Sequence, residues 1–252
     1  MRKTTFFFLL LLFSQVAGAQ LPQGPYIVTT AQYGDFNASP LDAMKEHVVK
    51  VFKDGYYITA SFGNSFKPFR GSSGGRYSVR DGKYVETVQF SSWDTGLVNR
   101  VLQFDYKLTP DGFLQKGIIN TGSYKNHYLL EDYKKIEPPV PLQNSQLEGV
   151  WMLKSTYWDD ADPFLNPIEE IKIYAYPRFA WAQYNAVTRE FVGAGGGTYR
   201  FDGTNLVEVI EYFTYEMALG SEFKVEVRFN DDGTIQQTSW GGRMVEIWKR
   251  AN

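Results

Sequence analysis

Lys50-VFKDGYYITASFGNSFKPFRGSSGG-Arg76-Tyr77 decides how the chain is read, because Lys172-IYAYPRFAWAQYNAVTREFVGAGGG-Thr198-Tyr199 repeats it 122 positions later without a gap. Both copies carry Phe-x-Gly-x-x-Gly-Gly-x-Tyr: Phe69, Gly71, Gly74, Gly75 and Tyr77, then Phe191, Gly193, Gly196, Gly197 and Tyr199. The differences between copies are mild, such as Val51 against Ile173, Phe52 against Tyr174 and Phe62 against Tyr184. The correspondence extends outward. Gly24-Pro25-Tyr26 matches Gly149-Val150-Trp151, Glu86-x-Val88 matches Glu208-x-Ile210, and Leu129-x-Glu131-x-Tyr133 matches Met244-x-Glu246-x-Trp248. A period this long exceeds that of a solenoid unit, so each copy is expected to be a domain.

Residues 1–19 read as a signal peptide. Arg2 and Lys3 precede an apolar run from Phe6 to Phe13, and Ala17-Gly18-Ala19 offers a small-x-small cleavage site before Gln20. The apolar run is too short to span a bilayer, so export to the periplasm or beyond is expected, with no integral membrane segment after cleavage. Removing Arg2 and Lys3 leaves 24 basic against 28 acidic side chains. With no basic run, this argues against nucleic acid as a partner. The chain has no cysteine, which excludes disulfides and thiolate metal sites. Each copy must therefore rest on its hydrophobic core.

Aromatic residues make up 17% of the chain and glycines number 23, a composition suited to strands broken by turns. About eight short strands are expected per copy, with Asp81-Gly82 and Asp111-Gly112 as hairpin turns. Ser39, Pro40 and Asp42 predict a short helix at 40–47 after the first strand. Domain one covers 20–136, the Pro-rich segment 137–146 is a linker, and domain two covers 147–252. In Phe223-Lys-Val-Glu-Val-Arg-Phe229 the apolar residues alternate with charged ones, so one face points inward. Short connections and one apolar face predict two antiparallel up-and-down β-barrels, with a sandwich as the alternative closure.

Gly149-x-Trp151 on the first strand and Arg250 at the end of the last resemble the lipocalin signature, in which the arginine stacks on the tryptophan. Copy one has Gly24-x-Tyr26 with Lys134 or Lys135. The tandem arrangement is similar to lipocalin-like (calycin-type) domains of an uncharacterised bacterial secreted family. This resemblance implies a small ligand held in the barrel and does not imply catalysis.

Other motifs carry little. Gly193 to Gly197 lacks the lysine and hydroxyl of a phosphate loop and reads as a bulged strand entry. Gly71-Ser72-Ser73-Gly74-Gly75 contains Gly-x-Ser-x-Gly, but a strand follows where a nucleophile elbow needs a helix. His47 and His127 have no counterparts in copy two, and Asp159, Asp160, Asp162 and Asn166 lack an EF-hand pattern. No metal or cofactor is expected. Glu208 and Glu246 recur as Glu86 and Glu131. An inward Glu246 needs a partner, for which Arg178 and Arg243 are candidates.

The candidate ligand-binding set is Arg178, Trp181, Tyr184, Tyr199, Glu208, Tyr212, Glu246 and Trp248, in copy two because it keeps Gly-x-Trp and more tryptophan. Trp181 and Tyr184 must face opposite ways, being an odd number of positions apart. Segments 37–47 and 159–167 are candidate lids. A secreted binder of a small amphipathic molecule is the leading expectation. A carbohydrate-recognising protein using Trp158 and Trp240 is the alternative, and a structural interaction module is a third.

Overall fold

A computed structural model describes residues 22–34, 46–63, 69–159, 168–185, 187–215 and 219–251. Residues 1–19, where a signal peptide is expected, both candidate lids apart from the ends of those segments, and Asp160 to Asn166 lie outside the described residues. Sixteen strands form two closed antiparallel barrels. Barrel 1 comprises β1 (Gly24–Gly34), β2 (Glu46–Lys53), β3 (Tyr56–Gly63), β4 (Phe69–Arg80), β5 (Lys83–Ser91), β6 (Val101–Thr109), β7 (Gly112–Ile119) and β8 (His127–Lys135). Barrel 2 comprises β9 (Gly149–Trp158), β10 (Ile168–Ala175), β11 (Arg178–Asn185), β12 (Phe191–Phe201), β13 (Asn205–Phe213), β14 (Glu222–Phe229), β15 (Thr234–Ser239) and β16 (Met244–Arg250). Each strand pairs with its sequence neighbour, and β8 closes on β1 as β16 closes on β9. Closure removes the sheet edges that an open meander would leave unpaired.

The expected helix at 40–47 is corrected at its end: Glu46 and His47 are already in β2, and the rest lies outside the described residues. His47 and Val49 alternate with Val48 and Lys50 along that strand, and its pairing with β3 from Glu46 onward holds these residues extended. The helical segments described are two single 3-10 turns, Thr95–Leu97 and Trp240–Gly242.

The floor of barrel 2 has the geometry the signature predicts. The Arg250 guanidinium lies 4.4 Å from the Trp151 ring centroid. It also donates to the carbonyls of Glu148 and Gln146, each at 2.8 Å, while the Trp151 indole donates to Leu147 O at 2.9 Å. Gly149 is required here: its φ is +145°, and a Cβ would lie 2.0 Å from Arg250 Nη1. In barrel 1 it is Lys135, through Cε, that approaches Gly24.

The two barrels pack through the outer faces of the repeated stretch. Val49, Val51, Ile58, Ala60 and Phe62 share one buried cluster with Ile171, Ile173, Ala180, Ala182 and Tyr184, their counterparts 122 positions on. Phe62 stacks on Tyr212 at 4.8 Å, and Tyr184 stacks on Phe90 at 5.1 Å. Phe90 and Tyr212 are themselves counterparts, so the two stacks are one contact made twice. Phe69 stacks on its own counterpart Phe191 at 5.9 Å with an interplanar angle of 1°. This is the reciprocal pattern of a two-fold dimer, realised inside one chain.

The glycine motif makes that interface possible. It lies within β4 and β12, with a register shift at Gly74/Gly75 and at Gly196/Gly197. A Cβ on Gly74 would meet the Phe90 ring at 2.6 Å, and one on Gly196 would meet Tyr212 Oη at 2.3 Å. The bare backbone is what lets each ring lie across the neighbouring strand and reach the other barrel. Ser72 and Ser73 sit in β4 and donate to Thr59 O and Phe90 O, so Gly-x-Ser-x-Gly is strand, not an elbow.

Candidate ligand-binding site

Inward positions of barrel 1 are set by the pleat: Val48, Lys50 and Phe52 point in while Val49 and Val51 meet the other barrel. The floor is aromatic. Tyr26, Phe52 and Phe113 meet with ring centroids 5.1–5.8 Å apart, and Phe52 packs on Tyr77 at 4.9 Å. Above it lies a polar layer, and above that a cavity of about 320 Å³. Apolar walls come from Val48, Val88, Leu97, Leu102, Ile119 and Leu129, while Trp93, Tyr124 and His127 also line it. Trp93 is 44% exposed and belongs to the rim. Its indole lies across Gly71, where a Cβ would come within 2.0 Å of Nε1. Tyr124 and His127 pack edge to face at 4.8 Å.

The polar layer consists of Lys50, Glu86, Gln115 and Glu131, all buried and all lining the cavity. Lys50 pairs with Glu86. Its ammonium also lies 4.8–5.6 Å from the centroids of Phe52, Tyr57, Tyr84 and Tyr133. Burying an ion pair costs several kcal/mol per charge, and four aromatic faces offset part of that cost for the cation. Glu131 accepts three hydrogen bonds: from Tyr33 Oη at 2.6 Å, Gln115 Nε2 at 2.8 Å and Tyr133 Oη at 2.8 Å. Burial, then the charge of Glu86, holds the phenols of Tyr57 and Tyr84 well above their ordinary value, and burial followed by Glu131 does so for Tyr133. These tyrosines are neutral donors. Gln115 Oε1 is buried without a hydrogen-bond partner.

Barrel 2 repeats the layer as Lys172, Glu208, Gln237 and Glu246, again buried or nearly so. Tyr174 Oη donates to Glu208 at 2.5 Å, Gln237 Nε2 to Tyr174 Oη at 3.1 Å, Lys172 to Gln237 Oε1 at 3.3 Å, and Trp248 Nε1 to Glu246 at 3.3 Å. Lys172 lies 3.7 Å from Glu208 and 4.7 Å from the Trp248 centroid. A further carboxylate, Glu170, stands where barrel 1 has Val48; it accepts from Gln183 Nε2 at 2.7 Å. Burial and the charge of Glu246 push Glu170 up to about 7, and burial, with Glu208 adding to it, raises Glu246 as well. Burial alone would lower Lys172, but Glu208, Glu246 and Glu170 together hold it above its ordinary value.

The residues proposed from the sequence divide between two places. Trp181, Tyr199, Glu208, Glu246 and Trp248 face the interior of barrel 2. Tyr184 and Tyr212 lie in the contact between barrels, and Arg178 pairs with Glu211. The odd spacing of Trp181 and Tyr184 thus separates core from interface. Neither arginine serves the buried carboxylates, since Arg243 forms a two-bond pair with Asp159 at 2.7 and 2.8 Å. The lysine of the layer takes that role, because a strand-centre ammonium reaches the barrel axis and Arg178, at a strand end on the outer face, does not.

Lys50, Lys172, Gln115 and Gln237 escaped the sequence reading. Lys50 and Lys172 open the repeated stretch, and Gln115 and Gln237 stand at the same spacing of 122. Identical polar residues at inward positions of both copies were the available signal.

No family model and no curated protein matches this chain. A solved structure from Nostoc punctiforme, described as a protein with unknown function from the DUF3598 family, is similar over 91% of this chain and 96% of its own, at 11% identity and a TM-score of 0.24. No helix among the described residues is long and apolar enough to cross a membrane.

Proposed function

We propose that this is an exported, lipocalin-like binding protein that holds a small amphipathic molecule in barrel 1, with barrel 2 as its structural partner. The observation carrying this is the 320 Å³ cavity over a buried polar layer, in the size range of small-ligand sites. Apolar walls and a few convergent polar groups are what such a ligand requires. The Gly149, Trp151 and Arg250 floor supports the lipocalin-like reading, and residues 1–19 support export. The preference for barrel 2 drawn from its tryptophans gives way to barrel 1, because Trp181 occupies interior space in barrel 2.

Native mass spectrometry of residues 20–252 purified without detergent tests this. The expected result is one bound small molecule per chain, released on denaturation and lost in Thr59→Trp. A bare mass, together with no uptake of medium-chain amphiphiles in titration, overturns it.

Exposed Trp158 and Trp240 favour a second reading, sugar recognition at one end of barrel 2. Met244 pairs with both Trp158 and Ser239, which brings the two indoles to the same rim. Glycan binding abolished by Trp240→Ala but unaffected by Thr59→Trp is its signature.

A further inference from the structure

We infer that the inner end of the barrel 1 ligand is a hydrogen-bond donor, and that a cationic donor such as a protonated amine fits better than an alcohol and far better than a carboxylate or phosphate. This rests on the binding function proposed above and names the chemistry of that same cavity.

Three observations carry it. The first is the orphaned acceptor. Gln115 is 2% exposed and lines the cavity. Its amide orientation follows from its partner: Glu131 already accepts from the Tyr33 and Tyr133 hydroxyls, so Gln115 presents Nε2 to it as a third donor and leaves Oε1 as the free atom. A buried carbonyl without a donor is costly, and a ligand N–H or O–H satisfies it. The hydroxyls of Tyr57 and Tyr84 do not line the cavity and lie against the Glu86 carboxylate.

The second is charge. Among the described residues, the charged groups lining the cavity are Lys50, Glu86 and Glu131, with His127 at the rim. The formal charges of that lysine and two glutamates sum to −1. An incoming anion meets that charge inside a low-dielectric barrel, and a cation neutralises it.

The third is that the one cation is already engaged. Lys50 pairs with Glu86 and is ringed by four aromatic faces. A carboxylate ligand would have to displace Glu86, leaving that side chain buried without its partner.

The cavity of about 320 Å³ equals the liquid volume of about ten waters at ~30 Å³ each, room for a short amphiphile. The probes are therefore nonylamine, nonanol and nonanoate, which share one chain length and differ in headgroup. Calorimetric titration of residues 20–252 near neutral pH is expected to rank amine over alcohol over acid, with amine at least about tenfold tighter than acid. Gln115→Leu is expected to weaken the alcohol about fivefold, and Thr59→Trp to abolish all three, which separates the cavity from nonspecific surface uptake. Nonanoate binding as tightly as nonylamine overturns the donor inference and leaves the binding function standing. Failure of all three probes on the wild-type chain overturns both.

Discussion

The two barrels share a strand plan, a floor and a Lys-Glu-Gln-Glu layer, yet one is hollow above that layer and the other is built up with large side chains. The difference lies in four positions. Val48, Thr59, Ser61 and Ser73 line the cavity of barrel 1; the counterparts 122 positions on are Glu170, Trp181, Gln183 and Gly195. In barrel 2 the Trp181 indole lies against Gly195, where a Cβ would come within 2.6 Å of Nε1, and it packs on Phe213 at 5.4 Å. Barrel 1 has small residues, Thr59 and Ser73, on both adjacent strands. One large-for-small exchange therefore separates a barrel that can admit a ligand from one that fills itself. Barrel 2 also gains a third carboxylate, Glu170, beside the lysine of its polar layer, Lys172.

The sharpest break in the comparison is loss of the central lysine. Lys172→Met leaves three buried carboxylates uncompensated and is expected to cost about 3–5 kcal/mol, at the upper end of that range. Lys50→Met leaves two, one of them already satisfied by three neutral donors, so it is expected to cost less. Chemical denaturation of both variants measures the order, and equal losses would remove the charge asymmetry between the barrels.

Next comes the exchange at the cavity. Trp181→Thr should destabilise the chain by about 3 kcal/mol or more, by removing packed volume, and should open a second ligand site. Its mirror, Thr59→Trp, should cost less than about 1–3 kcal/mol, because the indole enters existing space, and should remove ligand binding. Titration with nonylamine reads both, and binding retained in Thr59→Trp would show that the cavity is not the site.

A smaller effect is expected with pH. Glu170 is held at about 7 against an ordinary value of 4.5. The folded state therefore binds more protons than the unfolded state between those values, and stability falls as pH rises through that window. Glu170→Gln should flatten that slope and raise the melting temperature at pH 8 relative to wild type, with less difference at pH 4. A slope that survives the substitution would assign it to Glu246. Barrel 1 has valine at this position and should contribute no such slope.

The smallest effect is expected at the rim of barrel 2. Trp240 is 56% exposed, and Trp240→Ala should change stability by no more than about 0.5 kcal/mol. A larger loss would mean that its edge contact with Phe223 matters to the core.

Duplication, strand number, turn positions and the stacking of Arg250 on Trp151 were all legible in the sequence. Each is written locally, in a repeat at fixed spacing, in Asp-Gly turns, or in a motif whose glycine is dictated by the group lying on it. Which face of the repeated strands points inward was not legible. β3 and β11 are buried on both sides, inward over the cavity or core and outward against the other barrel. Alternation of polar and apolar residues disappears when both faces leave water, so Tyr184 and Tyr212 read like interior aromatics although they hold the barrels together. The location of the cavity depended on tertiary structure for a related reason. Volume inside a closed barrel is set by side chains from neighbouring strands meeting across it, and the pairing of Thr59 with Ser73, or Trp181 with Gly195, exists only once β3 lies beside β4 and β11 beside β12.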